Sequence, residues 1–216
     1  MEPAATPTHH ELPFRAANFA TLTDALDYAA LGETGVNFST GLGKMYASIP
    51  SRELREQCVE LAGKLLSLGV EKGDRVALVA ETDPEFVRFF FACQYAGLVP
   101  VALPTSIKLG AHSVYVGQLH RLLKASNAAL AVASEGYLSF LREASEGLNL
   151  RMVAAPKTFH ALQPGATTLQ TIDPDDIAYI QYTSGSTRFP RGVVIKHHTA
   201  MANIEGMVVD GLRIDS

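Results

Sequence analysis

The sequence predicts an α/β fold: a mostly parallel sheet flanked by helices on both faces, with a small N-terminal β-hairpin. Short apolar runs of strand length recur at 75–80, 99–103, 128–133, 150–155 and 177–182. They are continuous rather than alternating, as strands read when both of their faces are covered. Segments with apolar residues at helical spacing lie between most successive runs. That strand–helix–strand order implies right-handed crossovers and parallel pairing.

Residues 1–18 contain Pro3, Pro7, Pro13 and the pair His9-His10, and read as a flexible lead-in to a folded unit over 19–216. The adjacent histidines have metal-ligand chemistry, yet on a tail they read as ordinary solvated residues. Leu22, Leu26 and Ala29 recur at helical spacing after Thr21 or Thr23, which predicts a short helix. Residues 37–40 and 44–49 flank Gly41-Leu42-Gly43 and predict the hairpin. The stretch 41–44 has a superficial likeness to a phosphate loop, but the G-x-x-x-x-G-K-[ST] pattern is absent, and a plain turn is the reading kept.

Leu54, Cys58, Leu61, Leu65 and Leu68 form one apolar stripe, with Ser51 as the expected N-cap and Gly69 closing the helix. The strand at 75–80 follows the Gly73-Asp74 turn. Asp83 and Pro84 open the next helix as N-cap and first helical residue. Phe86, Val87, Phe89, Phe90, Phe91, Ala92 and Tyr95 make that helix apolar on most of its surface, so burial on more than one side is expected. Gly97 ends it before the strand at 99–103. Helices at about 115–125 and 135–144 then alternate with the strands at 128–133 and 150–155. Residues 156–176 read as a proline-bearing connection with room for one short strand. The strand at 177–182, another at 193–196 and a terminal helix over about 199–211 complete the chain.

Composition narrows the function classes. Apolar residues make up 47% and charged residues 19%, the balance of a globular chain rather than a disordered one. A net charge of −4 supplies no basic field, which argues against a nucleic-acid partner. Cys58 and Cys93 stand alone in apolar helical patterns and read as buried free thiols of a reducing compartment, not as a disulfide or metal pair. No apolar run approaches the ~20 residues of a membrane helix, and residues 1–18 lack a signal peptide's apolar stretch. A soluble, cytoplasmic protein is expected.

The chemistry concentrates in the string Ile180-Gln181-Tyr182-Thr183-Ser184-Gly185-Ser186-Thr187-Arg188-Phe189-Pro190-Arg191-Gly192. Thr183, Ser184, Ser186 and Thr187 each offer a hydroxyl donor. Gly185 and Gly192 let backbone approach a ligand closely or adopt positive φ. Arg191, after the rigid Pro190, is a candidate fork-like clamp on phosphate oxygens. Hydroxyls, approachable N–H groups and fixed positive charge are the parts that hold a polyphosphate. Any four of these residues would pass for a polar surface turn; the whole string does not. A serine-nucleophile hydrolase is disfavoured because Ser184 and Ser186 lack a G-x-S-x-G frame.

The string resembles the phosphate-binding signature of adenylate-forming, or AMP-binding, enzymes, a superfamily that includes acyl-CoA synthetases, fatty acyl-AMP ligases, luciferases and peptide-synthetase adenylation domains. Its usual pattern is aromatic-Thr-Ser-Gly-(Ser/Thr)-Thr-Gly-x-Pro-Lys-Gly-Val, with a histidine five residues after the last glycine. Tyr182, Thr183, Ser184, Gly185, Ser186, Thr187, Pro190, Gly192, Val193 and His197 occupy matching positions, and Asn203 fits an asparagine often found in the following helix. Upstream, Gly69-Val70-Glu71-Lys72-Gly73-Asp74-Arg75-Val76 and Phe89-Phe90-Phe91-Ala92-Cys93-Gln94-Tyr95-Ala96-Gly97 are similar to two further family passages. Gln181-Tyr182 and the Phe-Phe-x-Cys-x-Tyr-Ala-Gly passage look most like fatty acyl-AMP ligases and long-chain acyl-CoA synthetases. Two residues depart from the pattern: Arg188 replaces a glycine and Arg191 a lysine.

The resemblance implies that residues 19–216 form the N-terminal subdomain of an adenylation domain, with the later subdomains and the C-terminal domain absent. It implies an acid-activating ligase that uses ATP and Mg²⁺ to form acyl-AMP, from a fatty acid or another carboxylic acid, with release of pyrophosphate. The acyl acceptor would be CoA or a carrier-protein thiol. Thr183, Ser184, Gly185, Ser186, Thr187, Arg191 and Gly192 would bind the nucleotide, and His197 would face the acyl pocket unless it is a buried structural histidine. Catalytic residues and the metal-binding glutamate belong to family motifs not found here, so the 216-residue chain alone is expected to be inactive. Faces exposed by truncation would support a homodimer. The alternative is a non-catalytic nucleotide- or partner-binding module of the same fold.

Overall fold

A computed structural model describes residues 12–105, 112–165, 168–183 and 191–212. Helix α1 (Leu22–Ala29) leads into a hairpin of β1 (Gly35–Ser39) and β2 (Met45–Pro50). Then come α2 (Ser51–Leu66), β3 (Arg75–Val79), α3 (Pro84–Ala96), β4 (Val99–Leu103), α4 (His112–Ser126), β5 (Ala128–Val132) and α5 (Glu135–Ser145). The chain continues through β6 (Met152–Ala154), α6 (Pro156–His160), β7 (Ile177–Tyr182), β8 (Gly192–Lys196) and α7 (His197–Gly206), the last running into a π-helical turn at Met207–Gly211. The main sheet has the order β6-β5-β3-β4-β7-β8. Its strands are parallel except β8, which returns antiparallel to β7.

Strand β3 shows why both faces need helices. Val76 and Leu78 point into one core with α2, α3 and α6, whereas Ala77 and Val79 point into another with α4 and α5. A strand buried on both sides has no polar alternation to display, which is why its sequence is continuously apolar. The α3 helix starts where Asp83 Oδ1 accepts the Phe86 amide at 2.8 Å, with Pro84 in the first turn. It stops at Gly97, whose φ of 69° is left-handed and whose missing side chain admits Lys72 and Gln170. Thr21 and Asp24 cap α1 reciprocally.

Three expectations are corrected. Ser51 is the first residue of α2, not its cap: the N-cap is Pro50, and the Ser51 amide is already taken by the Thr34 carbonyl as β2 runs directly into the helix. The connection at 156–176 contains the short helix α6 and no strand among its described residues, because Phe159 is fully buried against Phe89 with ring centroids 5.4 Å apart. The terminal helix begins at His197 rather than Thr199. Its first free amides, those of His197 and His198, donate to the carbonyls of Asp176 and Pro174. Residues 12–18 lie against α1, with the Arg15 guanidinium 3.8 Å from the Phe19 ring centre. His9 and His10 lie outside the described residues.

Candidate functional site

Strand order creates a switch point. From β3 the chain crosses by α3 to β4 on one side, then by α4, on the opposite face, to β5 on the other side. In open α/β sheets the crevice outside the carboxyl ends of the strands at such a point is the usual ligand site. Here it is a hollow of about 260 Å³. Ala80 after β3, Leu103 and Pro104 of the β4 end, Gln118 and Leu122 of α4, and Thr183 at the end of β7 line it. A larger hollow of about 650 Å³ lies between α1 and α2 beside Arg15, Arg52 and Arg55, and involves none of the strand ends.

β7 brings Gln181, Tyr182 and Thr183 to this crevice. The Thr183 amide donates to the Arg191 carbonyl at 3.1 Å, and Tyr182 pairs with Gly192 one step below. Thr183, Arg191 and Gly192 are thereby brought together as the neck of the loop, and Thr183 and Arg191 are exposed. Ser184, Gly185, Ser186, Thr187 and Arg188 lie outside the described residues. At Gly192 the requirement is a close approach: a Cβ there would sit 3.2 Å from both Ile180 Cγ2 and Tyr182 Cε1. The Tyr182 hydroxyl in turn donates to the Leu122 carbonyl at 3.3 Å, tying the end of β7 to α4, and burial raises its pKa.

His197 is buried, at 2% exposure. Its Nδ1 accepts the Leu22 amide at 3.1 Å, so the neutral ring carries its proton on Nε2 and clasps the start of α7 to the start of α1. Burial lowers its pKa, against the pull of Asp176 and Asp24. Asn203 and His198 are exposed on α7. Cys58 and Cys93 are free and buried; burial raises both thiols, Cys58 to about 12, which removes them from nucleophilic chemistry. Among the described residues no group of three or more His, Cys, Asp or Glu is arranged to hold a metal ion, and the hollow's lining has no carboxylate.

Sequence reasoning missed the α4 residues Gln118 and Leu122, whose place beside the loop depends on strand order and left no local signal. It also missed Gln94, which is buried at 1% exposure. Its Nε2 donates to the Ala178 carbonyl at 2.7 Å, while its Oε1 is buried without a hydrogen-bond partner.

Comparison with known proteins bears on this geometry. The chain is 41% identical over 211 residues to a Caulobacter vibrioides protein provisionally named acyl-CoA synthetase, an alignment covering 97% of this chain and 36% of the relative. A long-chain-fatty-acid–AMP ligase of Mycolicibacterium smegmatis is 32% identical over 140 residues, 62% of this chain and 21% of the relative. A structure solved in a study of fatty acyl-adenylate ligases from E. coli and L. pneumophila superposes with a TM-score of 0.88 at 42% identity, covering 94% of this chain and 37% of that one. The adenylation domain of a keto acid-selecting NRPS module shares the fold, with a TM-score of 0.77 at 22% identity. This chain thus spans about a third of the length of the Caulobacter relative. A family model described as AMP-binding enzyme matches residues 38–215, from the hairpin through the switch-point sheet and the loop's neck to beyond α7, and the chain belongs to that family.

Proposed function

We propose that this chain is the N-terminal subdomain of an adenylation domain in a longer acid-activating ligase. In this reading the loop at 183–192 holds the β- and γ-phosphates of ATP while a carboxylate, of the fatty-acid class, attacks the α-phosphorus. A carboxylate oxygen bonds to that phosphorus, the bond to the bridging oxygen breaks, and pyrophosphate leaves with its electron pair. The product is acyl-AMP, ready for transfer to a thiol of CoA or of a carrier protein. The observation that carries the proposal is the closed neck, Thr183 amide on Arg191 carbonyl, standing at the carboxyl ends of β4 and β7 beside the switch-point hollow. The names of the matching ligases support the substrate class.

The chain's own contribution is positional. Arg191 supplies fixed charge and paired donors for oxygens that gain charge as pyrophosphate departs. The Tyr182–Leu122 bond and the Gly192 packing keep the neck from splaying when a highly charged ligand enters. Mg²⁺ accompanies ATP in this chemistry; with no carboxylate in the hollow's lining, no step is assigned to it. The two buried free thiols, and the lack among the described residues of any helix long and apolar enough to cross a membrane, support a cytoplasmic setting.

Titrating the 216-residue chain with ATP, with and without Arg191→Ala, tests the reading. Loss of a charge-assisted phosphate contact should weaken binding by about 10-fold or more. ATP–pyrophosphate exchange with a fatty acid should be absent for the chain alone. Equal affinity of the two forms would remove Arg191 from the site, and robust exchange would show the subdomain to be self-sufficient.

A further inference from the structure

We propose that β8 is a self-pairing edge, through which two copies of this chain join their sheets about a two-fold axis at Val194. The inference is independent of the nucleotide reading. β8 ends the sheet order, and among the described residues nothing pairs with its outer side. Val193 and Val194 are 42% and 53% exposed on alternate faces.

The direction of its backbone groups follows from the register. In an antiparallel pair, opposite residues alternate between those that exchange hydrogen bonds and those that do not. Thr183 and Arg191 are a bonded pair, and the register continues Tyr182↔Gly192, Gln181↔Val193, Ile180↔Val194 and Tyr179↔Ile195. Val193 and Ile195 therefore spend their N–H and C=O groups on β7. Gly192 and Val194 turn theirs to the free edge. Ile180 agrees with this assignment, since it faces β4, where it pairs with Val101.

A second copy fits that edge better than an arbitrary strand does, because β8 is self-complementary. With Val194 opposite its own copy, Val193 falls opposite Ile195 and Gly192 opposite Lys196. β-Branched residues meet across the seam on both faces, and no like charges are opposed. Lys196 lies opposite the residue with no side chain, and its charge is already matched by Asp175 at 2.9 Å. β8 itself holds no proline, and the one irregularity of its ladder with β7 puts the extra residue on the β7 side, between Ile177 and Tyr179. A two-fold pairing of this kind closes on itself and stops at a dimer.

Sedimentation equilibrium of the 216-residue chain from low micromolar to near-millimolar concentration tests this. The weight-average mass should rise from 23.2 kDa toward twice that value. Val194→Pro removes only an edge-facing amide, a place where proline is tolerated, and should stay monomeric with an unchanged circular dichroism spectrum. Val194→Lys, which opposes two ammonium groups at the axis, should stay monomeric as well. In the wild-type chain, exchange of the Val194 amide should slow with concentration while that of Val193 does not change. A wild-type chain that remains at 23.2 kDa throughout overturns the proposal and leaves the edge to another occupant, such as the further length that the relatives possess. Association of both variants at wild-type strength overturns it too, by placing the dimer on a different face.

Discussion

His197 accepts the Leu22 amide at Nδ1, and a nitrogen in that role cannot also carry a proton. Burial lowers its pKa from the ordinary 6.5; Asp176 and Asp24 pull it up and Lys72 pushes it down. A folded value below the unfolded one means that the unfolded chain binds the proton more readily. The clasp's stabilisation is therefore complete above pH 6.5 and is lost as pH falls through the folded value. Carboxylates act in a lower window. Burial alone would raise Glu85, but His160 and Arg88 together hold it below its ordinary 4.5, so its share is lost only under more acid conditions. Urea midpoints should accordingly drop between about pH 8 and about pH 5.5, and drop less in His197→Gln. An identical pH profile in the variant would exclude His197 as the cause. Tyr182 and Gly192 make the same point at the loop: the sequence shows a glycine suited to a turn, and the packed ring shows what it makes room for.

Elements with local punctuation were legible in the sequence. α3 is the clearest case, with Asp83, Pro84 and Gly97 in the expected roles and β4 in the expected place. Replacing Asp83 by alanine leaves the Phe86 amide without its side-chain acceptor and should cost about 1 kcal/mol, read as a lower urea midpoint at constant m-value. An unchanged midpoint would mean that water satisfies the amide equally well. Ser51 failed as a predicted cap for a reason of the same scale: β2 feeds α2 without an intervening loop, so Thr34, distant in sequence, takes the amide. The helix α6 was missed because one residue, Phe159, determines it, and a single buried aromatic makes no period.

Among the described residues the main sheet lies between two large cores, with a smaller third cluster of Leu22, Ala178, Ala200 and Met201 where α1, β7 and α7 meet. Phe159 belongs to the core of α2 and α3, and Leu119 to the core of α4 and α5. Phe159→Leu and Leu119→Val should each cost on the order of 1 kcal/mol, and the double variant should lose their sum to within about 0.5 kcal/mol. Larger coupling would show that the sheet transmits strain between its faces. By itself the sequence determined the α/β class and most of the elements, and it supplied the residues on which the proposed phosphate-binding role of the loop rests, because period, caps and turn residues act over a few residues. Only the tertiary structure decided that β5 lies beyond β3, that Gln118 and Leu122 therefore stand beside the neck, that His197 is clasped to Leu22, and that β8 comes last in the sheet order among the described residues. Those facts depend on which faces meet between residues far apart in the chain, and apolar periodicity says that a face is buried without saying against what.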